Sequence, residues 1–198
     1  MFNIALPLII FLFPMAYSPG PGNMFFAAIG ARAGTVASLP ANIGYHAATW
    51  IVTFAIGFGF ADLVERFPHA FTVIKYAGSA YVLWLAWKFF RAGTFQGGAQ
   101  VKSAGFADGA LLLILNPKAY MIIALMFTQF LPPDAENFTQ LVLVITTIFT
   151  LNNVLAFVVW AALGEALSRF FSNERHARVA NMIFAMLLVL IAVWMAAT

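Results

Sequence analysis

Two short runs carry residues able to do chemistry inside otherwise apolar stretches: Ser18-Pro19-Gly20-Pro21-Gly22-Asn23 and Asn116-Pro117-Lys118. Proline has no N–H to donate and glycine admits positive φ, so each run should stop a helix. Asn116 is also biased away from helical geometry by the proline after it. A helix is expected to end near Tyr17 and restart near Asn23, and another to break between Leu111–Leu115 and Ala119–Leu125. A restarted helix points unpaired N–H groups and the positive end of its dipole outward, which suits a carboxylate. Lys118 falls about the middle of its apolar stretch. At the centre of a bilayer a cation costs at least ~2.5–3.5 kcal/mol. A lysine there needs a partner or water, and no Asp or Glu lies at that depth; an anionic ligand or a ring of backbone carbonyls could supply what the sequence does not. The plain alternative is a proline kink with a lysine that snorkels or packs on those carbonyls.

The elements that position these runs follow from composition. The chain has 198 residues, 63% hydrophobic and 9% charged, with a mean hydropathy of +0.92. Soluble domains average about 45–50% apolar and about 25% charged. A soluble enzyme, a nucleic-acid-binding domain and a disordered tail are therefore excluded. A span needs roughly 20 apolar residues, so the length allows about six spans and no soluble catalytic domain. The runs Leu141–Ala162 and Val179–Thr198 are continuous, unlike the short alternating stretches of a β-barrel. There is no cysteine, which removes disulfides, thiolate metal sites and Cys nucleophiles. The N-terminal apolar run has no Lys or Arg ahead of it, so it is expected to be a retained span rather than a signal peptide.

The expected fold is an all-α polytopic membrane protein, a single transmembrane domain over residues 1–198. Its spans are placed at about 2–30, 38–61, 70–90, 106–131, 139–162 and 178–197. A Gly-, Ala- and Gln-rich linker occupies about 92–105. Arg32, Lys88, Arg91, Lys102, Arg169, Arg175 and Arg178 fall in the odd-numbered loops and Arg66 alone in the even ones. By the positive-inside rule the odd loops are cytoplasmic and both termini face outward. The two breaks occupy the first span of each trio, about 1–91 and 106–198. Because three is odd, the second trio enters the membrane inverted. Two inverted three-helix repeats with broken first and fourth helices are the plan of many secondary transporters, whose sites lie where broken helices meet.

Other polar residues within the spans are weaker signals. Lys75 lies near a span end, where it can snorkel. His46 titrates near neutrality when unperturbed, although buried histidines are usually satisfied core residues. Tyr81 could bond in the cavity or serve as packing. Asn152 and Asn153 more often join helices than bind ligand.

Pro19-Gly20-Pro21-Gly22-Asn23-Met24, then Gly34 and Ser38-Leu39-Pro40-Ala41-Asn42-Ile43-Gly44, resemble the opening of the LysE/RhtB family of amino-acid exporters. Lys75–Lys88 is similar to that family's Lys-x-x-Gly-x-x-Tyr-Leu segment. Phe106-Ala107-Asp108-Gly109, Asn116-Pro117-Lys118 and Gln129-Phe130 resemble its Phe-x-x-Gly, Asn-Pro-Lys and Gln-Phe signature. The likeness runs through about the first two-thirds of the chain. Gly22, Thr128 and Ala48 depart from it, standing where Asn, Pro and Gly are common.

The resemblance implies an inner-membrane secondary exporter of an amino acid or derivative, coupled to the proton-motive force and needing no cofactor. Carried over by position, the substrate site involves Pro19, Gly20, Pro21, Asn23, Asn116, Pro117 and Lys118, with Tyr81 second. The expected partners are a small zwitterion, protons and lipid, with a homodimer left open and no nucleic acid. His46, Asp62, Asp108 and the substrate amine are the candidates for carrying the coupling proton. A divalent-cation exporter is the alternative, disfavoured by the lack of Cys and of carboxylates at mid-depth. A membrane-embedded enzyme would need paired acid–base groups at one depth, and a scaffold would need no broken spans.

Overall fold

The computed structural model describes residues 2–66, 70–91, 104–132, 135–170 and 174–197. Among these the chain forms α1 (Phe2–Tyr17), α2 (Pro21–Ala33), α3 (Leu39–Arg66), α4 (Ala70–Arg91), α5 (Phe106–Ile114), α6 (Pro117–Phe130), α7 (Phe138–Phe170) and α8 (Glu174–Ala197). A 3₁₀ turn, Val36–Ser38, joins α2 to α3, and the described residues contain no strand. The described residues are thus an all-helical fold. Most of the expected linker lies outside the described residues, as does the side chain of Asp62.

Helix ends follow the backbone chemistry of the two runs. α1 stops at Tyr17 and α2 opens on Pro21, two residues earlier than the expected restart at Asn23. Proline is favoured at the first helical position because its missing N–H would be unpaired there anyway. α6 opens in the same way on Pro117, with Asn116 as an extended N-cap residue (φ −101°, ψ 95°). Across these junctions α1 and α2 are bent by 64°, and α5 and α6 by 63°. Phe138–Ser168 is long and apolar enough by itself to cross a membrane, and each bent pair passes the same test taken together. α3 and α7 run beyond the apolar stretches from which they were expected, and α3 bends at Gly59 (φ −127°, ψ 17°).

α7 is the central element: α1, α2 and α3 all pack on it, while α5 packs on α3 and α8 on α4. Glycines permit the closest of these approaches. A Cβ at Gly30 would overlap the carbonyl of Ala161, and one at Gly164 that of Ala27, so α2 and α7 meet backbone to backbone. Gly44 against Phe106 and Gly109 against Ala41 do the same for α3 and α5. In lipid, where tails are as apolar as leucine, such packing contributes dispersion energy that burial alone does not. The outward faces carry Ile10, Ile51, Leu125, Leu155 and Leu190, each more than half exposed. Water penalises such a surface, and acyl chains do not.

The interior divides into two apolar clusters. One gathers Phe26, Tyr45, Leu112 and Phe157; the other gathers Leu12, Ile123, Met126, Ile145 and Phe149. The two helix junctions lie where these clusters meet.

Candidate functional site

Lys118, on the first turn of α6, crosses to the other junction. Its Nζ donates to the carbonyl of Ser18 at 2.9 Å, to the Ser18 hydroxyl at 3.0 Å and to the carbonyl of Pro19 at 3.3 Å. These are acceptors the end of α1 leaves without helical partners. Of the partners open from the sequence, the backbone carbonyls are the ones in place. Gly20 makes the crossing sterically free, since a Cβ there would stand 2.9 Å from Lys118 Cδ and 3.0 Å from Nζ. A further orphan of the same helix end, the carbonyl of Ala16, accepts from Asn23 Nδ2 at 2.8 Å. Asn23 thus ties the start of α2 back to the end of α1.

The second junction is served differently. Asn116 is 4% exposed and donates from Nδ2 to the hydroxyl of Tyr45 at 2.9 Å. Its Oδ1 is buried and has no hydrogen-bond partner. A buried acceptor left open costs about 1–3 kcal/mol relative to a satisfied one. Asn23, Tyr45, Asn116, Lys118, Asn153 and Phe157 line a common cavity of about 20 Å³, closed further by Met15, Ala16, Ile122 and Phe149. That is room for about one water molecule. The cavity gathers a polar centre between apolar walls.

The remaining candidates fall outside this cavity. His46, 5% exposed, shares its Nδ1 with the carbonyl of Asn42 at 2.8 Å, and its Nε2 has no partner. Its ring lies against Phe157 at 5.2 Å, behind the cavity wall. The Tyr81 hydroxyl is buried and unpartnered, its ring stacked on Trp84 at 5.5 Å. It is within electrostatic reach of Asp108. Asp108 Oδ2 accepts the N–H of Gly105 at 2.8 Å, so this carboxylate caps the start of α5. Pro19 is exposed, and Pro21 and Pro117 act through the helix starts they form. Among the described residues no group of three or more His, Cys, Asp or Glu gathers.

Sequence reasoning missed Tyr45 and Phe157 and ranked Asn153 low. Tyr45 could have been found as a phenol beside His46 in an apolar run, whereas a phenylalanine among 22 carries no such mark. It also missed Glu165, whose Oε2 accepts the Thr35 hydroxyl at 2.6 Å and the Thr35 N–H at 2.7 Å. That contact clamps α7 to the turn after α2, where Gly34 takes φ +85°.

The chain is similar to several efflux proteins. It is 28% identical to the homoserine/homoserine lactone efflux protein of Salmonella typhi, covering 92% of this chain and 90% of that one. It is 29% identical to the cysteine/O-acetylserine efflux protein of Escherichia coli K12, over 90% of each. Identity to the leucine efflux protein of Enterobacter sp. 638 is 25%, over 86% of this chain and 84% of the relative. No solved structure matches. The family model for the LysE type translocator matches residues 13–198, nearly the whole chain with both junctions, and the chain belongs to that family.

Proposed function

We propose that the protein exports an amino acid or amino-acid derivative across the bacterial inner membrane, binding it at the junctions α1/α2 and α5/α6. The observation that carries this reading is the shared cavity. Lys118, a cation held by carbonyls, and the open acceptor Asn116 Oδ1 line the same small space. A zwitterion complements that pair: its carboxylate meets Lys118 and the N–H groups opening α2 and α6, and its ammonium meets Asn116 Oδ1. The efflux activities named for the relatives support the substrate class.

In this reading the chain is one transmembrane domain with six spans, both termini outward. The trios 1–91 and 106–198 are inverted repeats whose relative rocking exposes the site to each side in turn. On binding, the carboxylate replaces the Ser18 and Pro19 carbonyls around Lys118, which loosens the tie between the junctions. Movement is coupled to protons. Of the candidate carriers, His46 is favoured by its open Nε2 against the cavity wall, while Asp108 is engaged at Gly105.

The test is uptake and efflux of a panel of radiolabelled amino acids in proteoliposomes with an imposed pH gradient. Movement of at least one, driven by the gradient and lost in K118A, is the expected result. Movement of a divalent cation with no amino acid, or undiminished transport by K118A, overturns the assignment.

A further inference from the structure

We propose that Phe157 sets the size of the substrate side chain and confines wild-type transport to amino acids with short side chains. The inference rests on the export reading above and deepens it. The polar lining of the cavity serves what all amino acids share, so the apolar lining must meet the part that differs. Phe157 is 2% exposed and forms part of that lining.

Its position is interlocked with the first junction. The tip of its ring fills the space left by Gly22 on the first turn of α2: a Cβ at 22 would stand 2.5 Å from Phe157 Cζ and 3.1 Å from Cε2. The ring is caged elsewhere by Phe26 at 4.6 Å, Tyr45 at 4.7 Å and His46 at 5.2 Å. A ring held on these sides cannot turn aside for a larger guest without disturbing Tyr45, which holds Asn116 in place. The other phenylalanine of the lining, Phe149, belongs to the second cluster. Shortening residue 157 adds the space its ring tip fills beside Gly22 to the existing cavity of about 20 Å³. A change of one or more methylenes in an apolar pocket shifts discrimination by roughly 10–200-fold.

The experiment compares initial rates for labelled serine, homoserine, leucine and phenylalanine in proteoliposomes of wild type, F157L and F157A. Detergent gel filtration and thermal unfolding identify any variant that does not fold, and F157L is the milder change. Wild type should favour serine and homoserine, and the leucine-to-serine ratio should rise at least about tenfold in F157A and less in F157L. G22A, which pushes the ring into the cavity, should lower transport of all four, with F157L restoring it in the double variant. Wild-type transport of serine with an unchanged ratio in folded F157L and F157A overturns the role of Phe157 alone. A wild type that moves none of the four overturns this inference, and the export reading falls with it only if no amino acid of the wider panel moves.

Discussion

The two helix junctions both restart on a proline and bend alike, by 64° and 63°, but their polar side chains are satisfied differently. At the first, the orphan carbonyls of Ala16, Ser18 and Pro19 are all taken, by Asn23 and Lys118. At the second, the amide nitrogen of Asn116 is anchored to Tyr45 while its oxygen is buried and open. A broken helix in an apolar medium must find partners for its freed groups. The first junction finds them within the protein. So does the backbone of the second, where the Tyr120 hydroxyl donates to the Ile114 carbonyl at 3.1 Å, but one side-chain acceptor, Asn116 Oδ1, stays open, and the lysine this junction carries serves the first. The cavity is thus built asymmetrically: one junction is braced by its side chains and the other leaves one side-chain acceptor open.

Substitutions can break this contrast. The largest effect should come from K118A, which strips the donor from two carbonyls and a hydroxyl at once. Charge-assisted hydrogen bonds are worth about 1.5–3 kcal/mol, so a loss of that order in unfolding free energy should accompany transport at background. K118R, which keeps the charge but enlarges the head beside Gly20, should retain folding better than transport. N116A comes next. If the open oxygen receives the substrate amine, KM should rise roughly tenfold, the equivalent of about 1.4 kcal/mol. Y45F, which removes only the anchor, should alter KM less; equal effects would mean that Asn116 acts only through its anchor.

N23A belongs to the braced side and should reverse the pattern. Freeing the Ala16 carbonyl should cost about 1–2 kcal/mol by thermal unfolding, with KM nearly unchanged in the folded fraction. A KM change as large as that of N116A would erase the distinction between the junctions. S18A, which removes one of three acceptors around Lys118 and the donor to the Met15 carbonyl but leaves both carbonyls at Lys118, should have the smallest effect on transport, with a stability cost of about 1 kcal/mol.

Much of this was legible in residue types. Prolines set beside glycines at 19–22, or directly after an asparagine at 117, mark helix boundaries, so the stops at Tyr17 and before Pro117 could be read directly, whereas Pro7 and Pro14 are carried inside α1. Lys118 drew notice because charge is scarce in this chain, and scarcity is visible in composition. The motifs around Asn23 and Lys118 carried the family likeness, which the match over residues 13–198 places in the LysE translocators. Tyr45 and Phe157 were less visible for the opposite reason. Aromatic residues are abundant here: Tyr45 had only its place beside His46 to mark it, and Phe157 is singled out only by the packing of α3 and α7. Asp108 is one of four candidate proton carriers by residue type, and residue type alone does not show that its Oδ2 accepts the N–H of Gly105, a local cap three residues away.

By itself the sequence determined the medium, the helices, their interruptions and the family, because each depends on local chemistry: apolar content, missing donors and short motifs. Only the tertiary structure decided what each polar group meets. Lys118 reaches Ser18 across 100 residues, and Asn116 reaches Tyr45 across 71. Such partners are chosen by how α1, α3, α6 and α7 pack, and no local pattern encodes that choice. The open oxygen of Asn116 is likewise a product of packing, since the same side chain exposed to water would have had a partner.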